Sequence, residues 1–148
     1  EKGVLKSYIY DSYNANIAGA VATGNGFRRG TTTTEGAFTR PAVCAYSNMV
    51  VKPGRKTLEE VISQIDRGVL VEAFASPEVN PVTGGFSCEV RNATLIERGQ
   101  LTRHVKHALL TGNMYELLKN VVYVGNDVKV VDSFVLPSIA FEGTTLVG

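Results

Sequence analysis

The sequence predicts an α+β fold: a single domain over residues 1–148, dominated by a largely antiparallel β-sheet, with about three short helices. Two observations lead to this prediction. The strand patterns follow one another without the regular helical crossover that a parallel sheet requires, and the helical patterns are short and carry their own N-terminal caps. A chain of 148 residues with 44% hydrophobic residues can build one core without a disulfide or a metal ion.

The N-terminal part predicts a strand followed by a helix. Residues 4–10 are β-branched and aromatic with partial alternation, which favours a strand. Asp11 or Ser12 can then cap a short helix over residues 13–18 that ends at Gly19. Residues 23–41 show neither helical nor strand periodicity and contain several glycines, so we expect a long loop there. Loops of that length in a compact domain are usually functional or disordered.

The middle of the chain predicts a strand, a turn and the best-defined helix. Residues 43–52 have a strand pattern that stops at Pro53-Gly54, a typical turn pair. Thr57 and Glu60 form a capping box. The helix is expected to run from there to Gly68, with an apolar stripe formed by Leu58, Val61, Ile62 and Ile65.

The second half of the chain predicts several strands and one further helix. A tight turn at Arg98-Gly99 joins two strand patterns into a hairpin. Asn113 and Glu116 indicate a second capped helix, whose apolar stripe reaches Val121. The whole chain is expected to contain about seven or eight strands. In this half they cover residues 69–75, 86–92, 94–97, 100–107, 127–132, 134–136 and 139–141.

Overall charge and hydropathy exclude some classes of protein. Lys and Arg number 15 against 14 Asp and Glu, so the net charge of +1 gives no reason to expect nucleic acid or an anionic membrane as partner. No apolar run approaches the ~20 residues that span a bilayer. Cys44 and Cys88 are far apart in a chain without a signal peptide at its start, so we expect free thiols and a cytoplasmic location.

The residue types that carry catalysis or hold metals are sparse in this sequence. His104 and His107 would share one face of a helix, but in the strand pattern around them they point to opposite faces. The sequence contains no HExxxH helix that could supply two metal ligands and a base. Cys44 and Cys88 lie in predicted strands, where a free cysteine is usually a small buried hydrophobe. We therefore assign no catalytic residue, metal ligand or cofactor to this chain.

A local cluster of basic residues is the one feature that could indicate nucleic-acid binding. Residues 24–30 are rich in glycine and arginine but lack the Lys-Ser/Thr pair of a P-loop. Six basic residues between positions 27 and 56 face a single acid, Glu35; they are Arg28, Arg29, Arg40, Lys52, Arg55 and Lys56. Because interleaved aromatics and a recognition helix are missing, we interpret the cluster as a solvated loop face and not as a DNA contact.

Three glycine-containing signatures follow one another in the second half of the chain. They are Thr83-Gly84-Gly85-Phe86-Ser87, Leu95-Ile96-Glu97-Arg98-Gly99 and Val124-Gly125-Asn126-Asp127. Upstream, they are accompanied by GVLKSY at residues 3–8, DSYNA at 11–15 and TGNG at 23–26. With these segments in this order, nearly the whole chain resembles the closing domain of the TldD/PmbA family, peptidase-related proteins also labelled modulators of DNA gyrase. The resemblance implies that this chain is a fragment of a longer protein.

The resemblance implies a cytosolic metallopeptidase in which two kinds of subunit act together on unfolded or extended peptides. One kind carries an HExxxH helix and a cysteine ligand after the valine-glycine-asparagine-aspartate motif, whereas the other kind lacks these ligands. Residues 128–148 contain no cysteine, and such an ending is similar to the PmbA type, also called TldE. We therefore expect a non-catalytic subunit that pairs with a TldD-like, metal-bearing subunit or forms a homodimer. Zinc is expected in that partner or in an N-terminal region of the longer protein.

Two other functions stay open at this point. The first is a zinc-dependent, TldD-like peptidase in which the intact protein has altered metal ligands. The second is a module that binds DNA or modulates gyrase, which the family's second label and the basic cluster suggest. Both differ from the leading interpretation in a property that can be measured: retained zinc in the first case and salt-sensitive DNA binding in the second.

The candidate substrate-binding residues are Thr83, Gly84, Gly85, Phe86 and Ser87. Two adjacent glycines let another backbone approach closely. A sheet can bind an extended peptide through its own N–H and C=O groups, with little sequence preference. The alternative interpretation is that these glycines only form a turn before a strand.

Overall fold

The computed structural model of the protein describes residues 4–28 and 40–148. Within them lie three helices, α1 (Ser12–Ala18), α2 (Leu58–Ile62) and α3 (Met114–Lys119). The strands of the same residues are β1 (Gly26–Phe27), β2 (Val43–Cys44), β3 (Met49–Val50), β4 (Arg67–Phe74), β5 (Gly85–Glu97), β6 (Gln100–Val105), β7 (Ala108–Asn113), β8 (Val121–Val124), β9 (Lys129–Val131), β10 (Phe134–Leu136), β11 (Ile139–Phe141) and β12 (Thr145–Val147).

The α+β class and the largely antiparallel pairing are confirmed. The strand pairs β1–β2, β4–β5, β5–β6, β5–β7, β7–β12 and β8–β11 all run antiparallel. Across the described residues, no helix has the length and apolar character needed to cross a membrane. The chain divides into two compact units, Glu1–Met49 with Asp132–Phe134, and Val50–Val131 with Val135–Gly148.

The first unit contains α1 and the short pair β1–β2. Asp11 caps α1, because its Oδ1 accepts hydrogen bonds from the backbone N–H and the side-chain amide of Asn14 at 2.7 and 2.9 Å. Gly19, with a φ of 62°, ends the helix as the sequence predicts. Beside the β1–β2 pair, the side-chain amide of Asn25 donates to the carbonyl of Ala45 at 3.0 Å.

The second unit is built around β5, which is 13 residues long. One edge of β5 pairs with β4. The opposite edge pairs first with β7 and further along with β6, and β12 extends the sheet beyond β7. Val90, Ala93 and Leu110 form the buried core of this sheet. The partly buried hydrophobic residues packed against them are Val69, Val71, Phe86, Val105 and Leu146.

Several predictions for the N-terminal half are wrong in detail. Residues 4–10 form no strand, because the carbonyl of Tyr10 bonds to the N–H groups of Thr23 and Asn25 and not to a neighbouring strand. The strand predicted over residues 43–52 is two short strands, β2 and β3. The predicted loop over 23–41 contains β1, and its residues 29–39 lie outside the described part of the chain.

Helix α2 is shorter than predicted. It begins at the expected capping box but ends at Ile62 instead of at Gly68. Two backbone N–H groups at the tip of the β5–β6 hairpin bind the carbonyls of Ile65 and Asp66 at 2.9 and 2.6 Å. The chain then enters β4, so tertiary contacts end the helix before its apolar pattern ends.

Strands β7, β8 and β12 were not predicted from the sequence. Val121, expected in the apolar stripe of α3, begins β8 instead. The two segments predicted as separate strands over 86–92 and 94–97 are one strand, β5. Strand β12 pairs with a distant segment, Thr145 opposite Thr111, and a three-residue strand of this kind has too little local pattern to be recognised.

Candidate functional site

The candidate substrate-binding residues lie in a tight turn that leads into β5. Asn80 organises this turn: its Oδ1 accepts the backbone N–H groups of Val82 and Thr83 at 2.9 and 3.0 Å. The carbonyl of Asn80 accepts the N–H of Gly84 at 2.8 Å. The side chains of Thr83 and Ser87 are exposed. The backbone of the turn is thus held by bonds within the chain.

Helix α3 supports the turn through its cap. Asn113 accepts the N–H of Tyr115 at 3.0 Å, and its side-chain amide donates to the carbonyl of Thr83 at 2.7 Å. Gly84 has a φ of 76°, and a Cβ at this position would lie 2.5 Å from Cδ2 of Tyr115. Glycine is therefore required here for the chain's own packing.

Both edges of β5 are engaged next to this turn. On one edge Phe86 and Ser87 pair with β7. On the other edge Val79 forms a bridge with Phe86, and the N–H of Ala75 donates to the carbonyl of Glu89 at 2.9 Å. A peptide strand added to β5 at this point would have to displace these contacts. The geometry supports a turn before a strand, and a peptide contact at residues 83–87 stays a prediction.

The second signature forms the tip of the β5–β6 hairpin. Arg98 and Gly99 have φ values of 52° and 75°, and Glu97 pairs with Gln100 across the two-residue loop. Positive φ at both loop residues is typical of a type I′ turn. The tight turn that the sequence predicts at Arg98-Gly99 is thus present. A Cβ on Gly99 would lie 2.7 Å from the carbonyl oxygen of Ser63. The glycine of this signature lets the tip lie against the end of α2.

The third signature lies against the Pro53-Gly54 turn. The N–H of Gly54 donates to the carbonyl of Gly125 at 2.9 Å, and the N–H of Asn126 donates to the carbonyl of Lys56 at 2.8 Å. A Cβ on Gly54 would lie only 1.8 Å from the carbonyl oxygen of Val124. Two segments that are far apart in the sequence are therefore joined here through their backbones, and glycine permits the close approach.

Asp127, the last residue of the third signature, holds the segment that follows it. Its Oδ2 accepts a hydrogen bond from Oγ of Ser138 at 2.5 Å, and its Oδ1 accepts the N–H of Ser138 at 3.3 Å. Burial alone would raise the pKa of Asp127. The hydrogen bonds from Ser138 and from the backbone of Asp127, with the charge of Lys129, outweigh burial and lower the pKa below its ordinary 3.8.

Removing the hydroxyl of Ser138 is expected to raise the pKa of Asp127 toward 3.8. The lowered pKa means that ionised Asp127 stabilises the fold above pH 3.8, and this contribution is lost as the pH falls through the folded-state value. NMR titration of the Asp127 carboxyl in Ser138→Ala measures the shift. Ser87→Ala, at an exposed serine, is the matched control. An Asp127 pKa unchanged in Ser138→Ala would contradict the role given to this bond.

The histidines and cysteines do not form a shared site in the described part of the chain. Cys88 is buried and Cys44 is half-buried, and both are free thiols. His104 lies in β6 with Nδ1 3.1 Å from Oγ1 of Thr94, and His107 follows the strand with a φ of 56°. Among residues 4–28 and 40–148, no three His, Cys, Asp or Glu side chains come together as a metal site requires. These residues do not by themselves fit a zinc site.

The basic cluster predicted between residues 27 and 56 is only partly described. Arg29 and the acid Glu35 lie outside the described residues. Lys56 is engaged within the chain, because its Nζ donates to Oε1 of Gln64 at 2.5 Å and lies 4.1 Å from the centre of the Tyr123 ring. One cation of the cluster therefore has partners of its own.

A cavity in the first unit was not anticipated from the sequence. It has a volume of about 780 Å³ and is lined by the start of α1 and by β2. Asp11 and Cys44 are among its lining residues. Asp11 is 4% exposed, and its hydrogen bonds to Asn14 give it a structural role as the cap of α1.

A smaller groove of about 300 Å³ lies beside β6, where β12 ends. Its lining combines apolar and basic side chains: Leu95, Arg103, His104, Val105, Lys106, Ala108 and Leu146, with Gly148. This groove was not predicted from the sequence, where His104 and His107 were considered as metal ligands or as imidazoles on opposite faces of a strand. The run RHVKH at residues 103–107, with four basic or imidazole side chains in five positions, was the signal that could have indicated it.

The fold and its turns together define the class of protein. It is an α+β sheet domain in which glycines of the three signatures let backbone segments pack against one another. The chain belongs to the PmbA/TldA metallopeptidase C-terminal domain family, whose model matches residues 1–148. The TldD/PmbA resemblance noted in the sequence is thereby confirmed.

Individual relatives agree with this assignment. A protein named metalloprotease TldD homolog, from Buchnera aphidicola subsp. Schizaphis graminum, is 28% identical over 129 residues, which are 87% of this chain and 25% of that protein. The crystal structure of TldE from Thermococcus kodakarensis superposes with a TM-score of 0.82 at 31% identity, covering 99% of this chain and 32% of that chain. The crystal structure of a Bacteroides thetaiotaomicron protein, whose suggested role is modulator of DNA gyrase, superposes with a TM-score of 0.74 at 32% identity. The match covers 100% of this chain and 29% of that chain. This chain thus spans between 25% and 32% of the length of these relatives.

Proposed function

We propose that this chain is the C-terminal domain of a PmbA/TldE-like, non-catalytic subunit of a TldD/TldE-type metallopeptidase that acts on unfolded or extended peptides. The observation that carries the proposal is the segment after Asp127. Residues 128–148 contain no cysteine, and the bonds from Ser138 to Asp127 tie this segment back to the third signature. A thiolate is a strong zinc ligand, and this segment has none to offer.

The similarity to known proteins supports both the type of subunit and its pairing. The superposition on a TldE covers 99% of this chain, and a TldD homolog is similar over 87% of it. We propose a TldD-like, metal-bearing subunit as the partner, with a homodimer as the alternative arrangement. Zinc would be held by the partner or by a region of the protein outside this chain. The proposed location is the cytoplasm, which the two free cysteines support.

The contribution of this domain to peptide handling would come from its sheet. Extended peptides bind to strand edges through backbone hydrogen bonds, which give affinity with little sequence preference. Residues 83–87 would contribute through the exposed side chains of Thr83 and Ser87, since the backbone of Gly84 and Gly85 is used within the turn.

Separate purification of the full-length protein and of the TldD-like subunit from the same organism tests the proposal. We expect the full-length protein alone to leave an unfolded peptide intact and the mixture to cleave it. A chelator should stop the cleavage, because a zinc-bound water would be the nucleophile. The matched control is a TldD-like subunit in which the glutamate of HExxxH is replaced by glutamine. A mixture made with this variant should bind the peptide but should not cleave it. Chelator-sensitive cleavage by the full-length protein alone would contradict the proposal.

Two rival functions correspond to the other outcomes. Cleavage without a partner would favour a TldD-like peptidase with altered metal ligands. Binding of duplex DNA that weakens steeply with salt would favour a DNA-binding or gyrase-modulating module. That second rival is motivated by the suggested role of the Bacteroides relative and by the basic residues between 27 and 56.

A further inference from the structure

We propose that Asn25 is a site of spontaneous deamidation that the fold holds unreactive. Opening of this part of the first unit then leaves a permanent aspartate or isoaspartate at residue 25. The inference concerns the TGNG segment at residues 23–26, which the proposed function does not use. It is independent of that function, because it needs no partner, metal ion or peptide substrate.

The reactive pair is Asn25-Gly26, the single Asn-Gly step in the sequence. The backbone nitrogen that follows an asparagine can attack the side-chain amide carbon, and glycine favours this attack because it has no Cβ in the way. The nitrogen of Gly26 bonds to Cγ of Asn25, the bond from Cγ to Nδ2 breaks, and ammonia leaves with the proton of Gly26. Water then opens the cyclic imide at either carbonyl, which gives aspartate or isoaspartate without any oxidation or reduction.

The structure leaves the attacking nitrogen available. Gly26 lies opposite Cys44 in the antiparallel pair of β1 and β2. Beside them, the N–H of Ala45 donates to the carbonyl of Asn25 at 2.9 Å. Residues opposite each other in an antiparallel pair alternate between those that exchange hydrogen bonds and those that do not, and this bond places Gly26 and Cys44 in the second kind. The N–H of Gly26 is therefore not used between the two strands.

The side chain of Asn25, in contrast, is held at both ends. Its Nδ2 donates to the carbonyl of Ala45 at 3.0 Å. Its Oδ1 accepts a hydrogen bond from Oγ1 of Thr23 at 2.6 Å. Thr23 is itself held, because its Oγ1 accepts the N–H of Tyr10 at 2.7 Å. Closing the imide ring moves the amide group of Asn25 onto the backbone, and these bonds prevent that movement while they hold.

The product cannot restore these contacts. A carboxylate at residue 25 has no N–H to donate to the carbonyl of Ala45, so two oxygen atoms would lie against each other without a proton between them. Isoaspartate also lengthens the backbone by a carbon atom, which shifts β1 against β2. Deamidation thus converts a transient opening into a lasting change in the β1–β2 pair.

Mass spectrometry of the full-length protein, incubated at mildly alkaline pH, tests the inference. Trypsin cuts after Lys6 and after Arg28, and the peptide between these cuts carries Asn25 and two reference asparagines, Asn14 and Asn16. In enough urea to unfold the protein, Asn25 should deamidate faster than either reference, because glycine follows it. Without urea, its deamidation should be at least about tenfold slower, because two hydrogen bonds must break before the ring can close.

Variants of Thr23 show whether the side-chain bonds give this protection. Thr23→Val removes the hydroxyl, and Thr23→Ser is the matched control that keeps it. Without urea we expect Asn25 to deamidate about tenfold faster in Thr23→Val than in Thr23→Ser, because the bond to Oδ1 is lost. Circular dichroism establishes that both variants are folded during the incubation. If Thr23→Val does not fold, the comparison of the parent protein with and without urea decides alone.

The lasting effect is tested by Asn25→Asp. Exchange of the backbone N–H of Ala45, which donates to residue 25, should become faster in this variant because the β1–β2 pair opens more often. The matched control is Asn16→Asp, which makes the same change in charge at an exposed asparagine of α1. We expect exchange at Ala45 to stay unchanged in the control.

Four results would overturn the inference. They are equal deamidation of Asn25 with and without urea, no excess over Asn14 and Asn16 in urea, equal rates in folded Thr23→Val and Thr23→Ser, and unchanged exchange of Ala45 in Asn25→Asp. None of them affects the proposed function, which fails separately if mixing the full-length subunits gives no peptide cleavage.

Discussion

Replacing Gly54 by alanine is expected to destabilise the protein by about 3 kcal/mol or more. The new Cβ would lie 1.8 Å from the carbonyl oxygen and 2.8 Å from the carbonyl carbon of Val124. These are backbone atoms, which cannot rotate away as a side chain can. To relieve the overlap the Pro53-Gly54 turn must move away from the third signature. That movement breaks the hydrogen bond from Gly54 to Gly125, which is 2.9 Å long.

The matched control is Gly85→Ala in the same unit. The nearest atom to a Cβ at Gly85 is Oγ1 of Thr83 at 3.5 Å, an ordinary contact. We expect this variant to stay within about 1 kcal/mol of the unchanged protein. Thermal unfolding of the full-length protein, compared among the three forms, measures the difference. Equal apparent Tm values for Gly54→Ala and Gly85→Ala would show that the close approach to Val124 is not required.

Replacing Gly99 by alanine is expected to lower the free energy of unfolding by about 2–4 kcal/mol, which is the second-largest effect. Gly99 has a φ of 75°, which L-residues rarely adopt, and its Cβ would lie 2.7 Å from the carbonyl oxygen of Ser63. The substitution therefore adds backbone strain to a steric conflict. The hairpin tip would lift from the end of α2 and lose the bond to Ile65, which is 2.9 Å long.

Gly143→Ala separates these two effects. Gly143 also has a positive φ, 93°, but the nearest atom to its Cβ is the side-chain amide nitrogen of Asn120 at 3.6 Å. This variant should be destabilised by the backbone strain alone, by about 1 kcal/mol. Hydrogen exchange of the backbone N–H of Gly99 adds a local readout: it should become faster in Gly99→Ala and stay unchanged in Gly143→Ala. A loss of stability no larger in Gly99→Ala than in Gly143→Ala would contradict the docking of the hairpin on α2.

The parts of the fold that could be predicted depend on local chemistry. Thr57 and Asn113 each cap a helix as expected, and of the two candidates Asp11 and Ser12 it is Asp11 that caps the first helix. These caps are local, because a capping side chain bonds to N–H groups two or three residues away. The Arg98-Gly99 turn is likewise a two-residue signal. Each of these interactions is contained in a few consecutive residues, so the sequence shows it directly.

The parts that could not be predicted depend on distant partners. Strand β12 exists because residue 145 lies opposite residue 111, and nothing in three residues indicates that pairing. Helix α2 stops early because the β5–β6 tip binds the carbonyls of Ile65 and Asp66. Residues 4–10 have a strand composition but pair with no strand of the described residues, so they form no strand.

The same distinction applies to the candidate site. The sequence suggested that a peptide backbone approaches Gly84 and Gly85, and that contact stays a prediction. A Cβ at Gly85 would make only an ordinary contact, whereas Gly84 is closely approached within the chain. The approaching group is Tyr115, a side chain of α3. For the β6 groove, the run RHVKH could have indicated the charge of residues 103–107 but not the cavity, which exists only when β5, β6 and β12 are assembled in one sheet.

The zinc content of the full-length protein, purified without a partner and dialysed, tests the central claim most directly. The structure offers no thiolate after the third signature, where residues 128–148 contain no cysteine. We expect far less than one zinc ion per chain and no peptide cleavage by this sample, with both zinc and cleavage present in the complex with a TldD-like subunit. A full equivalent of zinc retained by the protein alone, together with chelator-sensitive cleavage, would contradict a non-catalytic role.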